Sequence, residues 1–362
     1  MSRAVWSVRE VALCAALFGV AAPAAAQQPA PAPDTPSVRV GATIYADYTY
    51  TVSPESTDAD GNSIHPNLFN VGRSYLNING TLSRLVAFRI TPDIARETGS
   101  SSLNGSLVFR IKYAFAQFNL DPWMTPESWT RLGIQQTPIV DYEEGIYRYR
   151  FQGTVFTERE GYLSSSDAGA SFRYNLPSNH GEVHVGVYNG ENYNRSELNN
   201  QKALQARGTV RPFPTGDAIL RGLRLTAFYN ADHYIKDGER NRFVGQATYE
   251  HRYLNAGFDF LSATDQSSVS VAEVSGRGFS IWATPRSPSG WEALLRYDRL
   301  TPNTSVDSQV RSRTILGVAY WFPLQGGVST ALLFDYDGAT FKNFAPAQPK
   351  QQRIAVHGLV NF

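Results

Sequence analysis

The last ten residues read RIAVHGLVNF, Arg353 to Phe362. Ile354, Val356, Gly358, Val360 and Phe362 fall on one parity; Arg353, Ala355, His357, Leu359 and Asn361 fall on the other. A β-strand turns alternate side chains to opposite faces, so the first set forms one continuous apolar face. Chain ends of soluble domains are usually polar and frayed unless something ties them down. An apolar-faced strand that finishes on an aromatic ring instead predicts a strand facing lipid. Phe362 then sits at the membrane–water rim, where aromatic rings accumulate. Val360 and Phe362 are accordingly assigned as the signal that barrel assembly machinery reads. An ordinary half-buried strand shows the same alternation, so the remaining residues have to decide.

The start of the chain sets the compartment. Arg3 and Arg9 precede a short apolar run from Val11 to Val20, and Ala24-Ala25-Ala26 precedes Gln27. A basic start, a brief apolar core and an A-x-A site make a secretory signal peptide, residues 1–26. The run is too short to span a bilayer as a helix, which needs roughly 20 residues. Cys14, the only cysteine, lies inside this segment, so the exported chain has no disulfide and no thiolate chemistry. Residues 27–37, rich in alternating Pro and Ala, read as an extended linker. The whole chain has 33 basic and 32 acidic residues, and losing Arg3, Arg9 and Glu10 leaves it formally neutral. No basic domain points to nucleic acid.

Alternation recurs across residues 38–362. Val38, Val40, Ala42, Ile44, Ala46, Tyr48 and Tyr50 share a face against Arg39, Thr43, Tyr45 and Asp47. Leu107, Phe109, Ile111 and Tyr113 alternate with Arg110 and Lys112, and Leu223, Leu225 and Ala227 with Arg224. Strands are predicted at 38–50, 71–82, 85–94, 105–119, 130–136, 168–176, 182–190, 203–212, 221–232, 241–250, 253–263, 275–285, 290–300, 312–322, 327–337 and 352–362. These sixteen segments form an even number, as a closed antiparallel barrel requires. The connections alternate almost throughout between long ones such as 51–70 and short ones such as Ser83-Arg84 and His251-Arg252, with Asp121–Trp129 and Phe213–Leu220 longer than the pattern expects. Long outer loops and short periplasmic turns produce that asymmetry in a membrane barrel; a soluble sandwich has no reason for it. Mean hydropathy is only −0.31, because a polar lumen face averages against an apolar lipid face. The fold class is therefore all-β, a transmembrane antiparallel barrel.

The longest connection, 137–167, carries both apolar residues able to pack and a set of charges. A connection of this length is usually functional. Folded inward as the third loop, it would narrow the pore and oppose its own charges to those of the wall, which is how channels discriminate ions. The predicted constriction comprises Arg110, Lys112 and Arg131 from the strands before the loop, with Asp141, Glu143, Glu144, Arg148 and Arg150 within it. Predicted inward-facing bases outnumber the acids, so a passive channel for small hydrophilic solutes with weak anion preference is expected.

Four segments add a resemblance. Arg131-Leu-Gly-Ile-Gln-Gln-Thr-Pro138, Ser166-Asp-Ala-Gly-Ala170, Val187-Tyr-Asn-Gly-Glu191 and Arg207-Gly-Thr-Val-Arg-Pro212 resemble, in order and spacing, segments of the phosphate-selective porin family of bacterial outer membranes. That resemblance implies a sixteen-stranded channel assembled as a homotrimer in the outer membrane. The phosphate-binding members are rich in lysine and arginine at the constriction, whereas this chain has five lysines.

A different class stays open, in which the barrel anchors an enzyme or an adhesin. His180 and His184 have metal spacing for a helix, but on a strand they stand about 13 Å apart. No HExxH or glycine-rich phosphate loop occurs, and no cofactor is implied.

Overall fold

The computed structural model describes residues 35–97, 102–197, 199–215, 217–324 and 326–362. The expected signal segment and most of the linker lie outside these residues. Sixteen wall strands follow in order: β1 (Ser37–Ser53), β2 (Asn67–Thr81), β3 (Val86–Arg96), β4 (Leu107–Asn119), β5 (Trp129–Gln136), β6 (Ser166–Asn175), β7 (Gly181–Tyr188) and β8 (Ala203–Val210). The second half comprises β9 (Leu223–Ala231), β10 (Gly238–His251), β11 (Leu254–Asp265), β12 (Val274–Pro285), β13 (Trp291–Thr301), β14 (Val310–Trp321), β15 (Ser329–Lys342) and β16 (Gln351–Asn361). A short strand, His233–Ile235, continues β9 against the same partner, β10. Every neighbour pairs antiparallel, and β1 pairs with both β2 and β16, so the sheet closes on itself.

Closure explains the opening stretch. Ile44 lies opposite Val360 and Tyr48 opposite Val356 in the β1–β16 register. Phe362 exchanges both backbone hydrogen bonds with Ala42 at 3.0 Å. Gly41 makes room for this, since a Cβ there would stand 2.3 Å from the Phe362 carbonyl oxygen. Ile354, Val356, Val360 and Phe362 are exposed on the outside of the wall, while Ala355, His357 and Leu359 are buried inside. A closed barrel leaves no unpaired strand edge, the condition for burying backbone in hydrocarbon.

The sixteen predicted strands match the wall one for one. Several extend further at the end facing the long loops: β1 runs to Ser53, β2 starts at Asn67 and β15 reaches Lys342. Within the first long loop, Ser56–Thr57 and Ser63–Ile64 form a small hairpin.

One parity expectation fails. Strict alternation puts Tyr113 on the lipid face, yet its hydroxyl reaches inward to Asp141. The cause is a bulge in β4: Thr91 pairs with Tyr113 and Pro92 with Ile111, leaving Lys112 unmatched. An extra residue in one strand shifts the alternation by one. Arg110 and Lys112 therefore face inward before the bulge, and Tyr113, Phe115 and Gln117 after it.

Candidate functional site

The connection between β5 and β6 is cinched at its neck, where Gln136 pairs with Ser166 and Thr137 N–H donates to Ser165 O at 3.1 Å. It contains α1 (Val140–Tyr147) and a single turn, α2 (Phe156–Arg159). Arg148 ends α1 in the left-handed conformation, φ 68°, with its N–H on Glu144 O. A non-glycine residue held there is strained and needs surrounding contacts to keep it. Those contacts are the Trp321 ring, 4.2 Å from the guanidinium carbon, and Glu292, 3.2 Å from Nη1.

The loop's other partners lie on β4, β10, β11, β13 and β15. Tyr113 on β4 donates to Asp141 at 2.9 Å. Gln246 Nε2 on β10 donates to both Glu143 Oε2 and Asp259 Oδ1, each at 2.8 Å. Asn255 on β11 donates to Ile146 O at 2.7 Å, and Tyr149 Oη donates to Glu292 on β13 at 3.0 Å. Gln152 donates to Asp335 on β15 at 2.9 Å, and Arg296 on β13 donates to Thr154 O at 3.0 Å.

Apolar packing carries this docking. Ile139, Val140, Tyr147, Tyr149, Val155 and Phe156 are all but fully buried against Phe228, Val244, Leu261, Trp282, Leu294, Leu300, Ile315 and Leu333. These wall residues share the inward parity of their strands. The expectation of a polar inner face is thus corrected for β9–β15, where apolar side chains stand among the charges as a seat for the loop. Fully burying one such side chain is worth about 1.5–3 kcal/mol, more than an average hydrogen bond contributes net.

The eight predicted constriction residues separate into groups. Lys112 lies over the Tyr75 and Tyr113 rings, 5.0 and 5.3 Å from their centroids, beside the Tyr113–Asp141 contact. Arg150 pairs with Glu144 at 2.7 Å and Glu158 at 3.8 Å. Arg110 instead sits at Asp93, Nε to Oδ2 3.0 Å, where Arg73 also binds. Arg131 stacks on Trp129, 3.8 Å from the ring centre, and donates to Gln117. Glu143 is buried against the wall and anchors the loop, while Arg148 is engaged by Glu292.

Two cavities meet at one place. A larger one of about 820 Å³ is lined by Arg73, Arg96, Arg110, Arg150, Arg195, Arg240 and Arg242 against Glu97, Glu158, Asp167 and Asp232, with Tyr162, Tyr193 and Tyr234 between them. A smaller one of about 330 Å³ is lined by Tyr45, Asp47, Arg73, Arg150, Gln152, Arg353 and His357, among others. Gly72, Arg73 and Arg150 line both. The place of Arg73 opposite the loop depends on a second bulge. Tyr45 pairs with Arg73 and Ala46 with Val71, so Gly72 is skipped. Near this junction, burial pushes the Glu144 carboxyl up to about 7, while Arg150 pulls it down.

The four motif segments prove to be neighbours that shape the wall below the loop. Gly133, φ +125°, would place a Cβ 2.3 Å from Ala114 O. Gln135 is fully buried and donates to Gly169 O at 2.9 Å. Asp167 accepts from the Gly190 N–H at 2.7 Å, and Arg207 pairs with Glu182 while covering the Tyr142 ring.

A closed sixteen-stranded antiparallel barrel with these short turns and a long loop after its fifth strand is of the bacterial outer-membrane porin type. Solved structures with this fold include an anion-selective porin from Comamonas acidovorans, at 12% identity and TM-score 0.63, covering 90% of this chain and 100% of that one. The outer membrane channel DcaP of Acinetobacter baumannii matches at 11% identity and TM-score 0.58, covering 91% and 98%. In-vitro folded OmpT of Vibrio cholerae, in its trimer form, matches at 11% and 0.58, covering 91% and 100%. No protein-family model matches the chain, and no curated protein matches it in sequence.

Proposed function

We propose that this protein is a porin, a passive outer-membrane channel for small hydrophilic solutes with a weak preference for anions. The observation that carries this reading is the junction of the two cavities at Arg73 and Arg150. There the loop faces the β1–β4 side of the barrel, and the larger cavity is lined by more guanidiniums than carboxylates. Inward-directed charge on a low-dielectric wall focuses potential on a passing ion. The anion preference is weak because most of these bases already have carboxylate partners, Asp93, Glu144, Glu158, Asp232 and Asp265 among them. Recognition of phosphate in particular rests on the four motif segments, whose residues here fix backbone positions. Assembly as a homotrimer rests on the same resemblance. The test is single-channel recording of the purified protein in a planar bilayer. Discrete conductance steps support the porin reading; a barrel that inserts but never conducts would favour an anchor for another activity.

Glu144 adds a pH dependence. Below about pH 7 it takes up a proton, and Arg150 then loses part of its countercharge. Anion preference is expected to rise as pH falls from about 8 to about 6, read as a reversal-potential shift in a salt gradient. A Glu144→Gln channel should show the low-pH value throughout; a wild-type response that survives in that variant assigns the titration elsewhere. The raised pKa means that ionisation opposes folding, so this group's contribution to stability fades as pH rises through 7.

Phe362 and Val360 are proposed as the assembly signal. Deleting Phe362 removes its two bonds to Ala42 and its ring at the rim. Assembled, heat-modifiable barrel should decrease while export continues. An unchanged yield would make the ring incidental.

A further inference from the structure

Two buried acceptors on the wall of the larger cavity have no donor. Gln205 on β8 and Asn230 on β9 stand directly opposite each other, and both line this cavity. They are 6% and 4% exposed, yet Gln205 Oε1 and Asn230 Oδ1 accept no hydrogen bond among the described residues. The strand register shows why. Across β7, Gln205 faces Gly186, which has no side chain. Across β10, Asn230 faces Arg242, whose guanidinium already donates to Tyr162 O, Asn241 O, Thr264 O and Asp265. Asn230 Nδ2 donates to Arg240 O at 3.2 Å, which fixes the orientation of that amide. Buried amide oxygens are seldom left without a donor, and an amide's terminal torsion is soft enough to turn toward an incoming group.

Around this pair the cavity is basic and aromatic. Arg73 and Arg110 share the single carboxylate of Asp93. Residues 189–197, leading out of β7, bring Tyr193 and Arg195 to the same space. Tyr193 N–H donates to Ser166 O at 3.2 Å, and its hydroxyl donates to Asp93 at 3.3 Å. Arg195 is exposed and makes no hydrogen bond or ion pair among the described residues. Two of the cavity's carboxylates are already engaged: Asp232 by Arg240 at 2.6 Å, and Asp167 by the N–H groups of Gly190 and Ala168, each at 2.7 Å. The charge left over is positive, while the acceptors left over need O–H donors.

We propose that the larger cavity binds an acidic sugar, whose carboxylate meets the arginines and whose hydroxyl groups donate to Gln205 and Asn230. A halide or a simple carboxylate brings acceptors alone and leaves both amide oxygens unserved. Guanidiniums match a carboxylate with paired N–H donors. Tyr193 supplies a flat ring and a hydroxyl beside them. A volume of about 820 Å³ is in the range of small-molecule sites. This assignment rests on the porin reading and names the class of solute that such a channel takes up.

Binding is measured by calorimetry on the intact, folded barrel in neutral detergent, with digalacturonate as the probe. Maltose, a neutral disaccharide, and acetate are the comparison arms. Digalacturonate should bind roughly tenfold or more tightly than either, since only it offers both charge and hydroxyl donors. Gln205→Met keeps the side chain's length without its amide and should weaken digalacturonate by roughly three- to tenfold, the loss of one hydrogen bond. Arg195→Gln should weaken digalacturonate and leave maltose unchanged. That position is exposed and unpaired, so this variant reports on binding even if Gln205→Met folds poorly. Digalacturonate that binds no more tightly than maltose or acetate would overturn the proposal, as would wild-type affinity in both variants. Channel recording separates this result from the porin reading. A conducting barrel without digalacturonate binding loses the site and remains a porin; a barrel that binds it and never conducts keeps the site and loses the channel.

Discussion

Replacing Leu316 with arginine is expected to cost about 2–4 kcal/mol of barrel stability, the penalty for a cation on the lipid face near the bilayer midplane. Leu316 sits midway along β14, opposite Leu295 on one side and Tyr336 on the other. It is 47% exposed on the outer surface, among apolar neighbours that offer the guanidinium no partner. The matched change on the inner face should be mild. Arg224 pairs with Glu250 at 2.7 Å, but that carboxylate is 42% exposed, so Arg224→Leu removes a partly solvated pair worth about 1 kcal/mol or less. Reversible unfolding in lipid vesicles measures both. Equal costs, or a larger one for Arg224→Leu, would mean that the faces of the wall are assigned the wrong way round.

Asp337→Ala is expected to cost about 3 kcal/mol, the low end of the range for removing one member of a buried charge cluster. Its carboxylate receives Arg313 at 2.8 Å, Arg353 at 2.7 Å and Arg159 of the loop at 3.5 Å. Without it three guanidiniums face one another, and only Arg353 has much access to water to soften the repulsion. Arg159 would then lose its hold on β15, leaving Gln152 and Asp335 to keep that part of the loop in place. Faster proteolysis within residues 148–163 should accompany the loss of stability. Asp337→Asn, which keeps acceptor geometry but not charge, should fall between. A variant as stable and protease-resistant as wild type would show that the loop is held by its apolar core alone.

The barrel was legible in the sequence because a lipid-facing strand has a simple rule: every second residue meets hydrocarbon, whatever the other face does. Ile354, Val356, Val360 and Phe362 obey it, as do Leu225 and Leu316. The inner face has no such rule. Bulges at Lys112 and Gly72 decide where Tyr113 and Arg73 point, and a bulge depends on pairing with β3 and β1, which no single strand reveals. Glu143 reads like any loop acid, yet Gln246 and Asp259 turn it into an anchor. One signal could have located the loop's seat beforehand. Leu294 and Leu300 interrupt the inward row of Glu292, Arg296 and Asp298, and Leu333 precedes Asp335 and Asp337. Apolar residues on both parities mark a wall covered from inside.

The proposed narrowing of the channel between Arg73 and the loop's Arg150 is tested most directly by the reversal potential across a bilayer in a salt gradient. A unit charge about 4 Å from an ion is worth roughly 4 kcal/mol at an effective dielectric of 20, before desolvation is counted. Screening is weak at low salt, where the Debye length is about 30 Å at 0.01 M. Wild type should conduct with a reversal potential of anion-preferring sign, and Arg73→Gln/Arg150→Gln should move it toward cation preference, most at low salt. A conducting double variant whose reversal potential equals that of wild type would place the narrowest part of the pore elsewhere and overturn the proposed constriction.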